Sequence, residues 1–273
     1  MRILPWILAI FVLPMPALAV PVLPDFSAAT FDPEQPVDHP YFPLTASATR
    51  VYVGREDGEP IDARFELTNL GPGPVIAGVQ TQVQRDRDYE DGLLVEETFD
   101  YYAQDTEGNV WYLGEDVTNF EYDDDGNLIG TNDESAWRAG VNDALPGLIM
   151  PADPDPEFNY YQEFAPEDDA LDQATIFGFL DMLEMESGIF EDVLQIFETN
   201  ELEPDAREFK YYAPGFGLIL VEEDLNEDLQ DPEAVFALAE ETESVPEPGT
   251  LGLLLLALGA LTHSRLRHMR GSR

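Results

Sequence analysis

The sequence predicts a mainly β protein, in which an antiparallel meander forms a curved sheet, half-barrel or barrel, with a short helix before the C-terminal tail. Segments in which apolar and polar residues alternate, such as 61–70 and 75–83, are typical of half-buried strands. Turn signals such as Asp91-Gly92 separate them at intervals of about eight to twelve residues. Because the chain has no cysteine, its own hydrophobic core must hold this sheet together.

Residues 1–19 have the layout of a secretory signal peptide. Arg2 gives a positive start, residues 3–15 are almost all apolar, and Ala17 and Ala19 form a small-residue cleavage site. The apolar run is shorter than the roughly 20 residues that a membrane span needs, and prolines interrupt it. We therefore expect export through the Sec machinery, cleavage by signal peptidase after Ala19, and folding outside the cytoplasm.

The charge of the chain is strongly one-sided. It has 56 acidic and 13 basic residues, which gives a formal net charge of -43 at pH 7. Such a surface repels nucleic acid and anionic lipid headgroups, so nucleic acid is excluded as a partner. One interpretation of the acidity is that it keeps the protein soluble in a salty or cation-rich medium. The alternative interpretation is that exposed carboxylates bind divalent cations with low affinity.

Two parts of the mature chain follow the signal peptide. Residues 20–43 are rich in proline and predict an extended arm, and residues 44–230 predict an acidic antiparallel β domain. One segment of this domain is ambiguous, because the composition of 168–185 suits a helix whereas 175–179 favours a strand. The other strand candidates in its second half are 148–150, 158–164, 189–197, 208–213 and 216–221.

Residues 231–244 predict the helix and a linker. Asp231 is a suitable N-cap, Pro232 suits the first helical position, and the apolar residues from Val235 to Ala239 would form one helical face. This helix would lead into the tail.

The tail, residues 245–273, has three parts in a fixed order. Val245-Pro246-Glu247-Pro248 is an extended and accessible stretch, and residues 250–262 form a short apolar segment that resembles a transmembrane helix. Three arginines follow at once, as in the cytoplasmic flank of a membrane segment. They are Arg265, Arg267 and Arg270.

This tripartite tail resembles the PEP-CTERM sorting signal. The resemblance implies that an exosortase, an integral membrane enzyme, recognises the motif and processes the chain near it. It also implies a Gram-negative bacterium that makes exopolysaccharide, which would be a further partner. We expect transient or stable anchoring in the inner membrane, followed by release to the periplasm, the cell surface or the extracellular matrix.

Four stretches of the body resemble an uncharacterised family of exported bacterial β-rich proteins. The stretches are residues 39–44, 83–116, 146–154 and 210–223, and the last contains the motif Tyr-Tyr-Ala-Pro-Gly-x-Gly-Leu at 211–218. The resemblance implies a single β-rich domain and no known activity. The hairpin at this motif is also similar to that of half-barrel lipoprotein-type carriers with an apolar concave face.

The acidic stretch 123–127 resembles the beginning of a calcium loop, with Asp123, Asp125 and Asn127 as candidate ligands. It departs from the EF-hand pattern, because Asn132 stands where a bidentate glutamate is needed. An acidic hairpin tip is the alternative interpretation, and no other cofactor is expected.

The sequence contains no motif that predicts catalysis. No serine lies in a Gly-x-Ser-x-Gly elbow, and His39, in the proline-rich arm, is expected to be a packing or hydrogen-bonding residue. Paired carboxylates carry no information in a chain with so many acids. Adjacent aromatic residues such as Tyr211 and Tyr212 should point to opposite faces of their strand, one of them outward, and cross-strand aromatic pairing is the simplest role for them.

We therefore predict a non-enzymatic exported protein that is sorted to the cell envelope, the surface or the exopolysaccharide matrix. Two alternatives stay open. A half-barrel carrier for an apolar ligand would have a deep apolar cavity. An extracellular carboxylate-dependent hydrolase would have two acids facing each other across a cleft, about 5 to 9.5 Å apart.

Overall fold

The computed structural model describes residues 20–44 and 48–243, and these form one large antiparallel sheet and one small hairpin. The hairpin consists of β1 and β2, and the sheet has 15 strands. The strands are β1 (Asp38–His39), β2 (Phe42–Pro43), β3 (Ala48–Glu56), β4 (Glu59–Ile76), β5 (Val79–Glu90), β6 (Leu93–Gln104), β7 (Val110–Tyr122), β8 (Leu128–Asn132), β9 (Trp137–Arg138), β10 (Leu145–Met150), β11 (Asn159–Tyr161), β12 (Glu163–Phe164), β13 (Asp172–Met185), β14 (Gly188–Asn200), β15 (Arg207–Ala213), β16 (Gly217–Glu223) and β17 (Ala234–Glu243).

The sheet curls until its two ends meet. Its strand order is β11-β13-β14-β15-β16-β17-β3-β4-β5-β6-β7-β10-β12, with β8 and β9 attached to β7. The two end strands, β11 and β12, are neighbours in sequence and are separated only by Gln162, whose backbone N–H donates to the carbonyl of Asp172 at 2.8 Å. The result is a nearly closed, barrel-shaped antiparallel sheet, which confirms the predicted fold class.

The N-terminal arm packs onto this sheet. It contains a short 3-10 turn, Phe26–Ala28, and the β1–β2 hairpin. Phe26 and Phe31 lie against Trp111, with ring centroids 5.2 and 6.4 Å away. Phe42 packs edge-on against Tyr102 at 5.0 Å, and its neighbours Pro43 and Leu44 line the inside of the barrel. The arm is therefore part of the folded domain.

Three pairs of adjacent aromatic residues are buried on both faces of their strands. They are Tyr101 and Tyr102, Trp111 and Tyr112, and Tyr211 and Tyr212, each at most 7% exposed. One ring of each pair lines the inside of the barrel and the other lies on the outer face, as strand alternation predicts. The outer ring is nevertheless buried, because further chain covers the outer face. The arm covers Trp111, and Phe190 and Val193 of β14 share a hydrophobic cluster with Tyr211. The inner rings do pair across strands, with Tyr102 and Tyr112 4.8 Å apart.

The predicted helix in residues 231–244 is a strand. Residues Ala234–Glu243 form β17, which lies between β16 and β3 and pairs with both. Leu238 lies opposite Tyr52 and is buried with it, and Phe236 lies 5.6 Å from Phe65. Alanine, leucine and glutamate are good helix formers, but this preference is worth less than about 1 kcal/mol per residue, and pairing with two neighbouring strands outweighs it.

The ambiguous segment 168–185 also resolves as a strand. Residues Asp172–Met185 form β13, which pairs with β14 along almost its whole length. Ala174 and Ile176 are buried, whereas Phe177 and Phe179 are exposed after a register shift between Ile176 and Gly178. The β-branched and aromatic residues of 175–179 therefore predict the structure of this segment correctly, whereas its overall composition, which suits a helix, does not.

Two predicted regions lie outside the described residues: the signal peptide, 1–19, and the tail, 245–273, with its apolar segment 250–262. Within the described part of the chain, no helix is long and apolar enough to cross a membrane.

An acidic cavity inside the barrel

The barrel encloses a cavity of about 380 Å³, which we call the lumen. The inner faces of the strands supply its wall, and the arm covers it on one side with Phe42, Pro43 and Leu44. Alternation along the strands sets which residues face inward, so that Lys210 and Tyr212 line the lumen whereas Tyr211 between them does not. Eight carboxyl groups line it: Asp86, Asp88, Asp100, Glu163, Asp172, Glu198, Glu208 and Glu223.

Two cationic side chains, Arg50 and Lys210, line the same cavity. The Lys210 ammonium donates to Glu198 at 2.7 Å and lies 3.1 Å from Glu208. Glu198 also accepts a hydrogen bond from the side-chain amide of Gln162 at 2.9 Å. Burial by itself lowers the pKa of Lys210, but the two carboxylates outweigh it and hold that pKa well above its ordinary value.

A second group of acids in this region shares protons. The Tyr112 hydroxyl lies 2.5 Å from Oδ1 of Asp100 and 2.8 Å from Oε2 of Glu115. A phenol has one proton to donate, so the second contact requires a proton on a carboxyl group. The geometry thus implies at least one protonated carboxyl group in the barrel interior.

The pKa values of these acids are raised for the same physical reason. Burial, followed by repulsion from neighbouring acids, raises the pKa of Asp88 to about 7, and burial is also the main cause for Asp100, Glu198 and Glu223, each raised to about 7. Burial is likewise the main reason that the pKa values of Asp86, Glu115 and Glu163 lie well above the ordinary values, and it raises the pKa of Asp172 in the same direction.

The lumen differs from the deep apolar cavity that the carrier alternative predicts. The deep apolar cavity of a carrier would not carry eight carboxyl groups in its wall.

Sequence reasoning missed the lumen, although one stretch carried a signal for it. In β5, Asp86 and Asp88 alternate with Arg85 and Arg87, so charged residues lie on both faces of the strand. A barrel strand with charges on both faces must place some of them inside. This pattern could have predicted a polar interior.

The candidate calcium ligands lie at the turn between β7 and β8. The carboxylate of Asp123 accepts hydrogen bonds from the backbone N–H groups of Asp125 and Asn127 at 3.0 and 2.8 Å, and from the Asn127 amide at 3.1 Å. These bonds lower the pKa of Asp123. The described residues contain no group of three or more acidic or histidine side chains placed to hold a metal ion. Calcium binding here stays a prediction.

The same turn occurs elsewhere in the chain. Asp105 accepts from the N–H groups of Glu107 and Asn109, as Asp123 does from its own loop, and a glycine with positive φ follows in both turns. Asn226 makes the corresponding bonds with Asp228 and Gln230. This repetition favours a hairpin motif as the role of the sequence Asp-x-x-Gly-Asn.

His39 is buried and hydrogen-bonded. It is 4% exposed, its Nδ1 accepts from the Tyr41 N–H at 3.2 Å, and its Nε2 lies 3.4 Å from the carbonyl of Ala152. Burial lowers the pKa of His39. These contacts agree with the packing and hydrogen-bonding role that the sequence predicts.

The comparison with known protein families decides the nature of the tail. Residues 244–270 match the model of the PEP-CTERM protein-sorting motif. The chain carries a PEP-CTERM sorting motif. The predicted motif residues, Val245 to Pro248, and the three arginines at 265, 267 and 270 all lie within the match, although outside the described structure. A PEP-CTERM motif is typical of exported proteins, so export of this chain follows.

Solved structures similar to this chain come from three bacteria. An inferred exported protein with a YmcC-like fold from Bacteroides fragilis is 10% identical, with 74% of this chain and 98% of that chain covered and a TM-score of 0.37. An inferred lipoprotein from Parabacteroides distasonis has the same identity and coverage, with a TM-score of 0.40. A DUF1329 family protein from Desulfovibrio piger is 8% identical over 76% of this chain and 90% of that chain, with a TM-score of 0.26. No curated protein matches the chain.

Proposed function

We propose that this protein is a non-enzymatic component of the cell envelope or the exopolysaccharide matrix, delivered there by an exosortase. The observation that carries the proposal is the sorting motif at 244–270, which follows an acidic domain of about two hundred residues that ends at Glu243. An exosortase would bind the segment Val245 to Pro248 while the apolar stretch 250–262 holds the chain in the inner membrane.

Three properties of the folded domain are suited to a protein that works outside the cell. Its sheet is nearly closed, so few strand edges are left to pair with other chains. It has no cysteine and therefore does not depend on oxidative folding. Its strong negative charge keeps it soluble and repels anionic surfaces, which supports a place in a hydrated, cation-containing matrix.

The test is the intact mass of the mature protein purified from its own host, with and without the exosortase gene. We expect loss of the residues after about 245 only in the cells that have the enzyme. A variant with Pro246→Ala and Glu247→Ala should keep its tail in both strains, and Glu243→Ala, just outside the motif, is the matched control. An intact arginine tail on the wild-type protein in both strains would contradict the proposal.

A further inference from the structure

We propose that the end of the barrel from which the chain leaves toward the tail contacts a zwitterionic phospholipid bilayer through exposed aromatic rings. The rings belong to Tyr41, Phe179 and Phe216, and we call them the aromatic rim. The inference rests on the proposed function for the membrane anchor at 250–262. It adds which face the folded domain turns toward the membrane while that anchor holds it.

The first observation is the place at which the chain leaves the barrel. Glu243, the last residue of β17, lies opposite Ala48 at the start of β3. On the other side of β17, β16 runs antiparallel to it, so Gly217, where β16 begins, lies at the same end of the barrel as Glu243. The turn between β15 and β16, residues 214–216, is therefore at this end, which we call the exit end.

The second observation is that three separate elements bring aromatic rings to the exit end. Phe216 lies in the turn between β15 and β16, and the backbone N–H of its neighbour Gly215 donates to the carbonyl of Pro40 in the arm at 2.7 Å. Tyr41 follows Pro40, and its ring centroid lies 6.1 Å from that of Phe179 in β13. Phe216 is 45% exposed and Phe179 is 47% exposed, whereas Tyr41 is half-buried. The arm and two hairpins thus place the aromatic rim around the point of exit.

Exposure alone would not select the exit end, because apolar residues are also exposed at the opposite end of the barrel. Leu128 and Ile129, at the start of β8, are 55% and 65% exposed. The length of the connection to the tail decides between the two ends. Residues 244–249 alone separate Glu243 from Thr250, so these two residues lie at most about 25 Å apart. An anchor that begins at 250 therefore holds the exit end close to the lipid headgroups and the opposite end away from them.

The aromatic rim is suited to the interface between water and a membrane. Tyrosine and other aromatic rings bury apolar surface at the level of the headgroups while their polar edges keep a hydrogen bond. The Tyr41 hydroxyl already donates to the carbonyl of Asp192 at 3.1 Å, so its hydrogen bond does not depend on water. Two half-exposed phenylalanines bind a bilayer only weakly by themselves. A short tether raises their effective concentration at the membrane, so the contact forms while the anchor is in place.

The charge of the domain selects the kind of lipid. Its strong negative charge repels anionic headgroups, and Asp192 lies beside Tyr41 at the edge of the aromatic rim. Zwitterionic headgroups carry no net charge and avoid this repulsion. Anionic lipid should therefore weaken the contact, and added salt should restore it because salt screens exposed charges.

The experiment uses the mature chain with its tail, purified from host cells that lack the exosortase gene and reconstituted into phosphatidylcholine vesicles. The chain has no cysteine, so one introduced cysteine carries a single environment-sensitive fluorophore. Pro214→Cys, an exposed position beside Phe216, reports on the exit end and keeps all three rings of the aromatic rim. Asp124→Cys, an exposed position in the turn between β7 and β8, is the matched control at the opposite end.

The readout is quenching by a lipid that carries a spin label at headgroup depth. We expect it to quench the fluorophore at position 214 several-fold more strongly than the fluorophore at position 124. Phe179→Ser and Phe216→Ser together should reduce the quenching at 214 to the level at 124, because they remove the two exposed rings and leave the tether unchanged. Cooperative thermal unfolding checks that this variant is folded, and Phe216→Ser alone takes its place if it is not. Vesicles that contain phosphatidylglycerol should give weaker quenching at 214, which salt restores.

Three results would overturn the assignment. Equal quenching at positions 214 and 124 would mean that the anchored domain turns no fixed face toward the membrane. Quenching at 214 that survives both serine substitutions would mean that the tether, and not the rings, sets the position of the domain. Protection of the fluorophore at 214 from aqueous iodide, without quenching by the lipid, would assign the aromatic rim to a second copy of the chain.

Failure of the aromatic rim can be distinguished from failure of the proposed function. A protein that does not float with the vesicles would contradict the anchor at 250–262, and the assignment of the rim would fall with it. A protein that floats without selective quenching at 214 would contradict the rim alone. The intact-mass test of sorting does not depend on the rim, so its outcome stands in either case.

Discussion

The ammonium group of Lys210 donates to Oε2 of Glu198 at 2.7 Å in the wall of the lumen. The Glu198 side chain is 6% exposed, and that of Lys210 is 27% exposed, on the side that faces the cavity. Glu208 lies on the other side of the ammonium at 3.1 Å. One cation therefore compensates two acids in a wall that is otherwise dominated by acids.

Replacement of this lysine should destabilise the fold. Loss of one partner from a buried pair costs about 3 to 5 kcal/mol, and the partial exposure of Lys210 reduces our expectation for Lys210→Met to about 2 kcal/mol. Urea denaturation measures the change in the free energy of unfolding. Glu198→Gln in the Lys210→Met background should recover part of the loss, because it removes an acid that has lost its cation.

The matched control for this prediction is Arg55→Met. Arg55 pairs with Glu186 at 3.0 Å, but Glu186 is 90% exposed, so we expect a loss of less than about 1 kcal/mol. Equal losses in the two methionine variants would show that the position of Lys210 in the lumen gives its ion pairs no special weight.

The raised pKa values predict that the protein is more stable in mild acid than at neutral pH. Asp88, Asp100, Glu198 and Glu223 have a pKa of about 7 in the folded protein, above the roughly 4 of an unfolded chain. The folded state therefore binds more protons between these two values, and the free energy of unfolding falls as the pH rises from about 4 to about 7.

Thermal unfolding between pH 4.5 and pH 8 tests this direction. We expect a melting temperature that is lower at pH 8 by about 5 °C or more, since each kcal/mol corresponds to roughly 2 to 4 °C in a domain of this size. Asp88→Asn should flatten the dependence, because it removes one group that titrates in the window. A melting temperature that rises steadily from pH 4.5 to pH 8 would contradict the proton-sharing arrangement.

The fold class could be predicted from the sequence because it depends on local patterns. Alternation and turn residues identify strands such as β4 and β5, and they are properties of short stretches of chain. The region of β17 could not be identified in this way. Its alanine, leucine and glutamate residues favour a helix, and it is a strand because it pairs on one side with β16 and on the other with β3, which is distant in sequence.

The lumen depends even more on distant residues. Asp86, Asp100, Asp172 and Glu198 come from four different strands, and no local pattern indicates that they meet. In a chain with 56 acids, most acidic residues lie on the surface, so composition hides the few that do not. The tail is the opposite case, because its three parts are consecutive and the motif match confirms what the sequence predicts.

Asp123 should stabilise its turn whether or not calcium is present. Its carboxylate accepts hydrogen bonds from the N–H groups of Asp125 and Asn127, so Asp123→Ala leaves those donors to water and should lower the melting temperature. Asp125→Ala, in the same turn, is the control and should change stability little. Unfolding with 1 mM calcium and with chelator separates the two interpretations of this loop. A calcium-dependent rise in melting temperature that Asp123→Ala abolishes would show a cation site there.

The last prediction concerns the C-terminal boundary of the folded domain. A protein that ends at residue 230 keeps every strand of the originally predicted β domain but lacks β17, which pairs with β16 and β3 over Ala234–Glu243. It would leave the edges of β16 and β3 open. It would also expose Tyr52, which is fully buried and lies opposite Leu238. We expect this protein to aggregate or to lose its near-ultraviolet circular dichroism, because unpaired edges and exposed apolar surface favour association.

A protein that ends at residue 244 is the matched control and should keep the spectrum and the cooperative unfolding of the mature chain. A substitution in the form that ends at 244 separates the loss of the packing of β17 from the loss of chain length. Leu238→Asp in the form that ends at 244 keeps every backbone hydrogen bond of β17 but places a charge against Tyr52, and it should unfold at a lower urea concentration. A form ending at 230 that folds cooperatively would mean that β17 is dispensable and that the barrel closes without it.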